Sequence, residues 1–151
     1  MKKIFILFLF VLGSCGYQPL YKINGEFVNY KIKEFEFTGN EKISIKISKK
    51  LPFVLVENDK SLNKVILDSN KNLIIASKDS KGQVTSYRAT LTVKLKILNS
   101  DGNVVNEKLL QKEFYYSTDE NKFKLKEYED KIEENLIENV VQDIIIYLNY
   151  S

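Results

Sequence analysis

The chain has 151 residues, with 23 basic and 20 acidic side chains, one cysteine and no histidine. A lone cysteine excludes an intrachain disulfide, and the absence of histidine excludes any Cys/His metal cluster, a Ser-His-Asp triad and a Cys-His dyad. A hydrophobic fraction of 44%, with 12% aromatic residues, is enough to close a core and sets the chain apart from disordered sequences.

In chain order, the basic pair Lys2 and Lys3 comes first, followed by an unbroken apolar run from Ile4 to Leu12 and then Gly13, Ser14 and Cys15. An apolar run of that length is too short to cross a hydrocarbon core of about 30 Å as a helix, so residues 1–14 are expected to be a cleaved secretory signal. Cleavage before Cys15 leaves 137 residues, a length that suits one domain. It also leaves 21 basic against 20 acidic side chains. The excess basicity is therefore mostly in the signal, and no global field draws the mature chain to nucleic acid.

In Leu12-Gly13-Ser14-Cys15 a branched apolar residue precedes two small ones and the cysteine, which is the layout of a lipobox. The thiolate is the most nucleophilic side chain available and carries the diacylglycerol. Several acyl chains at about 0.8 kcal/mol per buried methylene would make such an anchor permanent. Gly16 follows instead of Asp, and under the enteric sorting rule that favours the outer membrane. The run Cys15-Gly16-Tyr17-Gln18-Pro19-Leu20-Tyr21 resembles the mature start of the lipopolysaccharide-assembly lipoprotein family LptE.

The resemblance implies an order of strand, helix, three antiparallel strands and long helix. The expected fold is thus α+β, two helices packed on a four-stranded, mostly antiparallel sheet in the order β-α-β-β-β-α, forming a two-layer sandwich. It also implies a non-enzymatic role without cofactor beyond the covalent diacylglycerol and N-acyl lipid on Cys15. The partners it implies are an LptD-like outer-membrane β-barrel, lipopolysaccharide and the membrane reached through the anchor, with no nucleic acid. The expected division of the chain is 1–14 signal, 15–27 lipidated tether and 28–151 α+β domain.

Lys22 to Phe27, with Asn24-Gly25, reads as the tether, and Val28 to Thr38 as a first strand. Tyr30 and Ile32 share one parity and Phe35 and Phe37 the other, which requires a β-bulge or a strand buried on both faces. After Gly39-Asn40, Ile43, Ile47 and Leu51 recur at helical spacing up to Pro52. Ile43, Ile45 and Ile47 also alternate as in a strand, and β-branched residues favour that state, so the residues alone leave 40–52 open between helix and strand. The resemblance selects the helix. Phe53 to Val56 either closes that helix or adds an edge strand.

Val65 to Leu67 and Leu73 to Ala76, divided by Asp68 to Asn72, fit one long interrupted strand or a small hairpin. Family precedent favours the single strand. Tyr87, Ala89, Leu91, Val93, Leu95 and Ile97 then alternate with Arg88, Thr90, Thr92, Lys94 and Lys96, which makes one face buried and the other wet. Asn99 to Asn103 supplies a turn, and Val104 to Tyr116 returns as the antiparallel partner. Ser117 and Glu120 stand at capping-box spacing before a final helix, whose stripe is Leu125, Tyr128, Ile132, Leu136, Val140, Ile144 and Leu148. Its opposite positions, among them Glu129, Glu133 and Glu138, are polar and expected to face water.

Arg88 is the only arginine in the chain and shares its strand face with Lys94 and Lys96. A guanidinium fork and lysine point charges in one row can bind the phosphates of a lipid A headgroup; an ordinary solvated strand face has the same pattern. In Phe114, Tyr115 and Tyr116, strand parity sends Tyr115 to the side opposite its neighbours. Two other readings compete with lipopolysaccharide assembly. One is a different periplasm-facing lipoprotein adaptor, for outer-membrane protein insertion or cell-wall binding. The other is a lipid-anchored hydrolase using carboxylates alone, which needs two converging carboxylates in a pocket.

Overall fold

The structure is a computed structural model that describes residues 30–56, 59 and 61–150. Its elements are β1 (Tyr30–Gly39), α1 (Glu41–Ser48), β2 (Phe53–Leu55), β3 (Asn63–Lys78), β4 (Val84–Leu98), β5 (Val104–Ser117) and α2 (Lys122–Tyr150). The five strands form one open sheet in the order β2-β1-β3-β4-β5. β1 runs parallel to both β2 and β3, whereas β3, β4 and β5 are antiparallel. The α+β two-layer architecture is as expected, with one strand more. The short run after Pro52 adds an edge strand parallel to β1, and the sheet is mixed, with its three long strands antiparallel.

The parity conflict in β1 is resolved by a bulge. Register with β3 slips between Ile32 and Glu34, so Tyr30 and Ile32 before the slip and Phe35 and Phe37 after it all point to the helical side. There Phe35 stacks with Phe37 and meets Phe53 edge-on. The stretch 40–52 is helical because Asn40 caps it, its side-chain oxygen accepting from Ile43 N–H at 3.3 Å. Burial of Ile43 and Ile47 against the sheet then outweighs the β preference of three isoleucines.

Gly39 makes the junction possible. Its φ of 68° turns the chain out of β1, and the Asn40 N–H is then donated to the Ser69 carbonyl on β3. Two buried hydroxyls complete the lock: Ser44 bridges to Ser69 at 2.7 Å and to the Leu67 carbonyl at 3.2 Å, while Ser69 donates to the Asn40 carbonyl at 2.8 Å.

The two segments of β3 form one unbroken strand of 16 residues. β4 buries Ala89, Leu91, Val93, Leu95 and Ile97 as its alternation requires. The β4–β5 turn has Gly102 at φ 82°, with the Asn99 side chain accepting from the Asp101 and Asn103 N–H groups. The β3–β4 turn is built the same way on Asp79, which accepts from Lys81 and Gln83.

The expected capping box does not form. Ser117 is still in the β ladder opposite Ser86, and Asn121 caps α2, accepting from the Phe123 and Lys124 N–H groups. α2 buries Ile132, Leu136, Val140, Ile144 and Leu148 of the expected stripe, together with Ile137 and Val141. The stripe is wider than expected because α2 packs against α1 as well as β4 and β5. At its start Leu125 is only partly buried and Tyr128 is exposed. No helix among the described residues is long and apolar enough to cross a membrane.

Candidate functional site

Both helices lie on one side of the sheet, so among the described residues the other side is uncovered. Register places a ladder of side chains there. Arg88 on β4 has Ile74 of β3 and Tyr115 of β5 as neighbours; Thr90 has Asn72 and Glu113, Lys94 has Asp68 and Leu109, and Lys96 has Ile66 and Glu107. The three cations picked out from sequence therefore share one face, as parity requires. They do not form one cluster. Six residues of strand at about 3.3 Å each separate Arg88 from Lys94 by about 20 Å.

Each spot has its own counter-charge. The Arg88 Nη1 lies 3.7 Å from Glu113 Oε2 and donates to the Tyr115 hydroxyl at 3.4 Å, and the guanidinium carbon stands 5.9 Å from the centre of the Tyr115 ring. Tyr115 is 60% exposed, and its neighbour Tyr116 is buried and donates to Glu129 at 2.8 Å. Burial first, and the Glu129 carboxylate second, push the Tyr116 phenol above its ordinary range. Lys94 donates to Glu107 at 2.6 Å, which together with the nearby charge of Lys96 holds the Glu107 carboxyl below the ordinary range. Two of the three cations are therefore offset by carboxylates, and an anion binding at either spot has to compete with Glu113 or Glu107. The 3.7 Å contact at Arg88 is longer than a hydrogen bond and leaves the fork available.

The helical side carries a second charged assembly. Lys46 of α1 donates to Glu133 at 2.8 Å and Glu134 at 2.9 Å, Lys71 of β3 donates to Glu133 at 2.7 Å, and Lys50 reaches Glu138 at 3.2 Å. Burial opposes the ionisation of Glu133, but the hydrogen bonds from Lys46 and Lys71 outweigh it and hold this carboxyl below its usual range. The same bonds raise Lys46. Glu129 and Glu133, expected in water, are thus partners of the sheet and of α1.

A depression beside this seam is lined by Lys46, Glu127, Asp130, Lys131, Glu134 and Glu138. Each carboxylate there is bridged by a lysine: Glu127 by Lys131, Asp130 by Lys126, Glu134 by Lys46 and Glu138 by Lys50. Solvated ion pairs of this kind do not supply the converging free carboxylates that a hydrolase of that type requires. No group of His, Cys, Asp and Glu among the described residues could hold a metal ion. Cys15 and the segments expected to be signal and tether, residues 1–27, fall outside the described residues.

Tyr115, Glu113 and Glu107 were not singled out from sequence as partners of the basic row. The signal lay in the β4–β5 turn. Once that turn is placed, the register puts Tyr115 opposite Arg88 and Glu107 opposite Lys96.

The family model described as LptE, Lipopolysaccharide-assembly, matches residues 24–148. No curated protein sequence matches the chain. Among solved structures, the rare lipoprotein B from Shewanella oneidensis is similar with a TM-score of 0.59 and 13% identity, over 78% of this chain and 95% of that one. A minor lipoprotein from Acinetobacter baumannii is similar with a TM-score of 0.60 and 18% identity, over 78% of this chain and 89% of that one. Lipoprotein B from Nitrosomonas europaea gives 0.56 and 15%, over 83% and 87%. At these identities the likeness is one of fold.

Proposed function

Since the chain belongs to the LptE, or lipopolysaccharide-assembly, family, we propose that it is an outer-membrane lipoprotein, anchored on the periplasmic side through lipid on Cys15. It acts by binding as the plug and partner of an LptD-like β-barrel, and it assists delivery of lipopolysaccharide to the cell surface. The observation that carries this reading is the extent of the family match, which begins before β1 and ends within the last turn of α2. The uncovered polar sheet face gives a binding protein a surface to offer, and neutralised carboxylates on the helical side give an enzyme little to work with.

On that face we assign the lipid A phosphates to two separate spots, Arg88 with Tyr115, and Lys94 with Lys96. A phosphate monoester carries more charge than a carboxylate and can displace Glu113 and Glu107. Extraction of native membranes in non-denaturing detergent should bring down one large β-barrel in fixed ratio with the chain, and a chain that purifies alone refutes the reading. The triple variant Arg88→Ala, Lys94→Ala, Lys96→Ala should fold normally, since all three side chains are only half-buried and none belongs to the core. It should bind purified lipopolysaccharide more weakly and lose much of the salt dependence. Binding equal to the natural chain at low salt returns the row to a solvated strand face without touching the barrel partnership.

A further inference from the structure

β3 outruns its neighbour. β1 ends at Gly39 opposite Ser69, yet β3 continues to Lys78, and on that side no strand among the described residues pairs with the remainder. One hydrogen bond fixes which groups are free there. The Ser69 carbonyl accepts from Asn40 N–H on the β1 side, and the N–H and C=O of a strand residue point the same way and alternate along the strand. The backbone groups of Lys71, Leu73 and Ile75 therefore face the vacant side, three donors and three acceptors in a row.

The side chains around them are apolar and exposed. Leu73 and Ile75 on the helical side are 45% and 48% exposed, and Ile74 on the other side 37%. Between Lys71 and Lys78 there is no charge and no proline. Proteins protect long edges with charges, prolines or bulges. The opposite edge of this sheet follows the rule, since β5 carries Glu107, Lys108, Lys112 and Glu113 along its length. The β3 edge has only the register slip after Ile75, which ends the run without covering it.

We propose that residues 70–76 of β3 are a strand-addition site, on which an extended segment of a partner protein pairs as a further strand. The partner segment is apolar at alternate positions and acidic at the end that lies beside Lys78. Charge selects this occupant over a second copy of the chain. A second copy could offer only its own free segment, residues 70–76, which has no acidic side chain to set beside Lys78. The charge of Lys71 is already taken by Glu133, whereas Lys78 has no ion pair among the described residues and stands exposed next to Lys81 in the turn. Backbone pairing supplies affinity, and contact with the exposed side chains of Leu73 and Ile75 supplies specificity. The proposal does not depend on which protein supplies the strand, and so not on the barrel partnership.

The test uses the full-length chain in its native envelope with the photocrosslinker p-benzoylphenylalanine in place of Ile75. Sequencing of the adduct should find one extended segment of a different protein with an acidic end. Lys78→Glu, an exposed change that leaves the core alone, should lower the adduct yield at least tenfold. Leu73→Pro removes one outward N–H at an edge where proline is tolerated and should do the same, while Leu73→Ala should stay within twofold. An adduct with a second copy of the chain, with residues 16–29 of the same chain, with lipid alone, or no adduct at all overturns the proposal, as does a yield indifferent to Lys78→Glu.

Discussion

Gly39→Ala tests the junction on which α1 and β3 are registered. Gly39 has a φ of 68°, where an L residue costs roughly 1–2 kcal/mol. An added Cβ would also overlap the Ser69 carbonyl oxygen and stand 2.6 Å from the Asp68 Oδ1. The Asp68 side chain can swing away, but the Ser69 carbonyl cannot, because it is fixed in the sheet and accepts the Asn40 N–H. Relief requires β1 and β3 to part at their last pair. That weakens the Asn40–Ser69 backbone bond and the Ser44–Ser69–Asn40 hydroxyl chain, two interactions worth about 1 kcal/mol each. The total expected is about 3–4 kcal/mol. Gly102→Ala is the internal control, since its φ is 82° but no atom lies within 4 Å of an added Cβ, so only the conformational cost of about 1–2 kcal/mol applies. Urea melts of the two variants at equal m-value measure the difference directly. Thermal midpoints should fall by roughly 2–4 °C per kcal/mol for a domain of this size. If Gly39→Ala comes within about half a kcal/mol of Gly102→Ala, the close approach of β1 and β3 is not as described.

Ile132→Ala and Leu136→Ala, both fully buried under the sheet, should each cost about 2–5 kcal/mol in denaturant melts, and losses below half a kcal/mol for both would mean α2 is not docked. Glu133 has a carboxyl pKa held below its unfolded value of about 4.3, so its stabilisation is complete above that value and disappears as pH falls through the folded pKa. Glu133→Gln should accordingly flatten the loss of stability below pH 4.3, and an unchanged acid limb in the melts would show that Lys46 and Lys71 do not set it. Cys15→Ala should block lipidation and leave an uncleaved or mislocalised precursor; normal mature mass with membrane retention rejects the lipoprotein reading.

The parts of the fold legible in the sequence were those where one face is buried and the other wet. β4 shows this most plainly, and even the bulge in β1 was announced by the clash of parity between Ile32 and Phe35. The helix at 41–48 was not legible from its residues, because an isoleucine at every second position serves either period, and what decides is the Asn40 cap and the contact of Ser44 with Ser69 across 25 positions. Ser117 and Glu120 imitated a cap whose real residue is Asn121, since nothing local reveals that the ladder with β4 runs on to Ser117. The width of the α2 stripe, which takes in Ile137 and Val141, escaped because α2 packs against α1 as well as β4 and β5, and no periodicity encodes a second packing partner. At the candidate site, membership of Arg88, Lys94 and Lys96 in one face could be read directly, but the pairing of Arg88 with Glu113 and of Lys94 with Glu107 depends on the register of the neighbouring strand. The β3–β4 turn has a sequence signal of its own, since Asp79-Ser80-Lys81-Gly82 has the frame that Asn99-Ser100-Asp101-Gly102 repeats twenty positions later.

The hydroxyl of Tyr30 donates to the carbonyl of Leu148 at 2.6 Å, tying the beginning of the first strand to the final turn of the last helix. The molecule thereby acquires two poles. Both ends of the described chain leave from one of them, whereas the turn at 79–83 and the free end of β3 mark the other. The 16 residues of β3 span about 50 Å between these poles at about 3.3 Å per residue, slightly more than the 40–45 Å of a whole bilayer with its headgroups. The far turn of the long hairpin is thus held about 50 Å from the pole at which the described chain begins and ends.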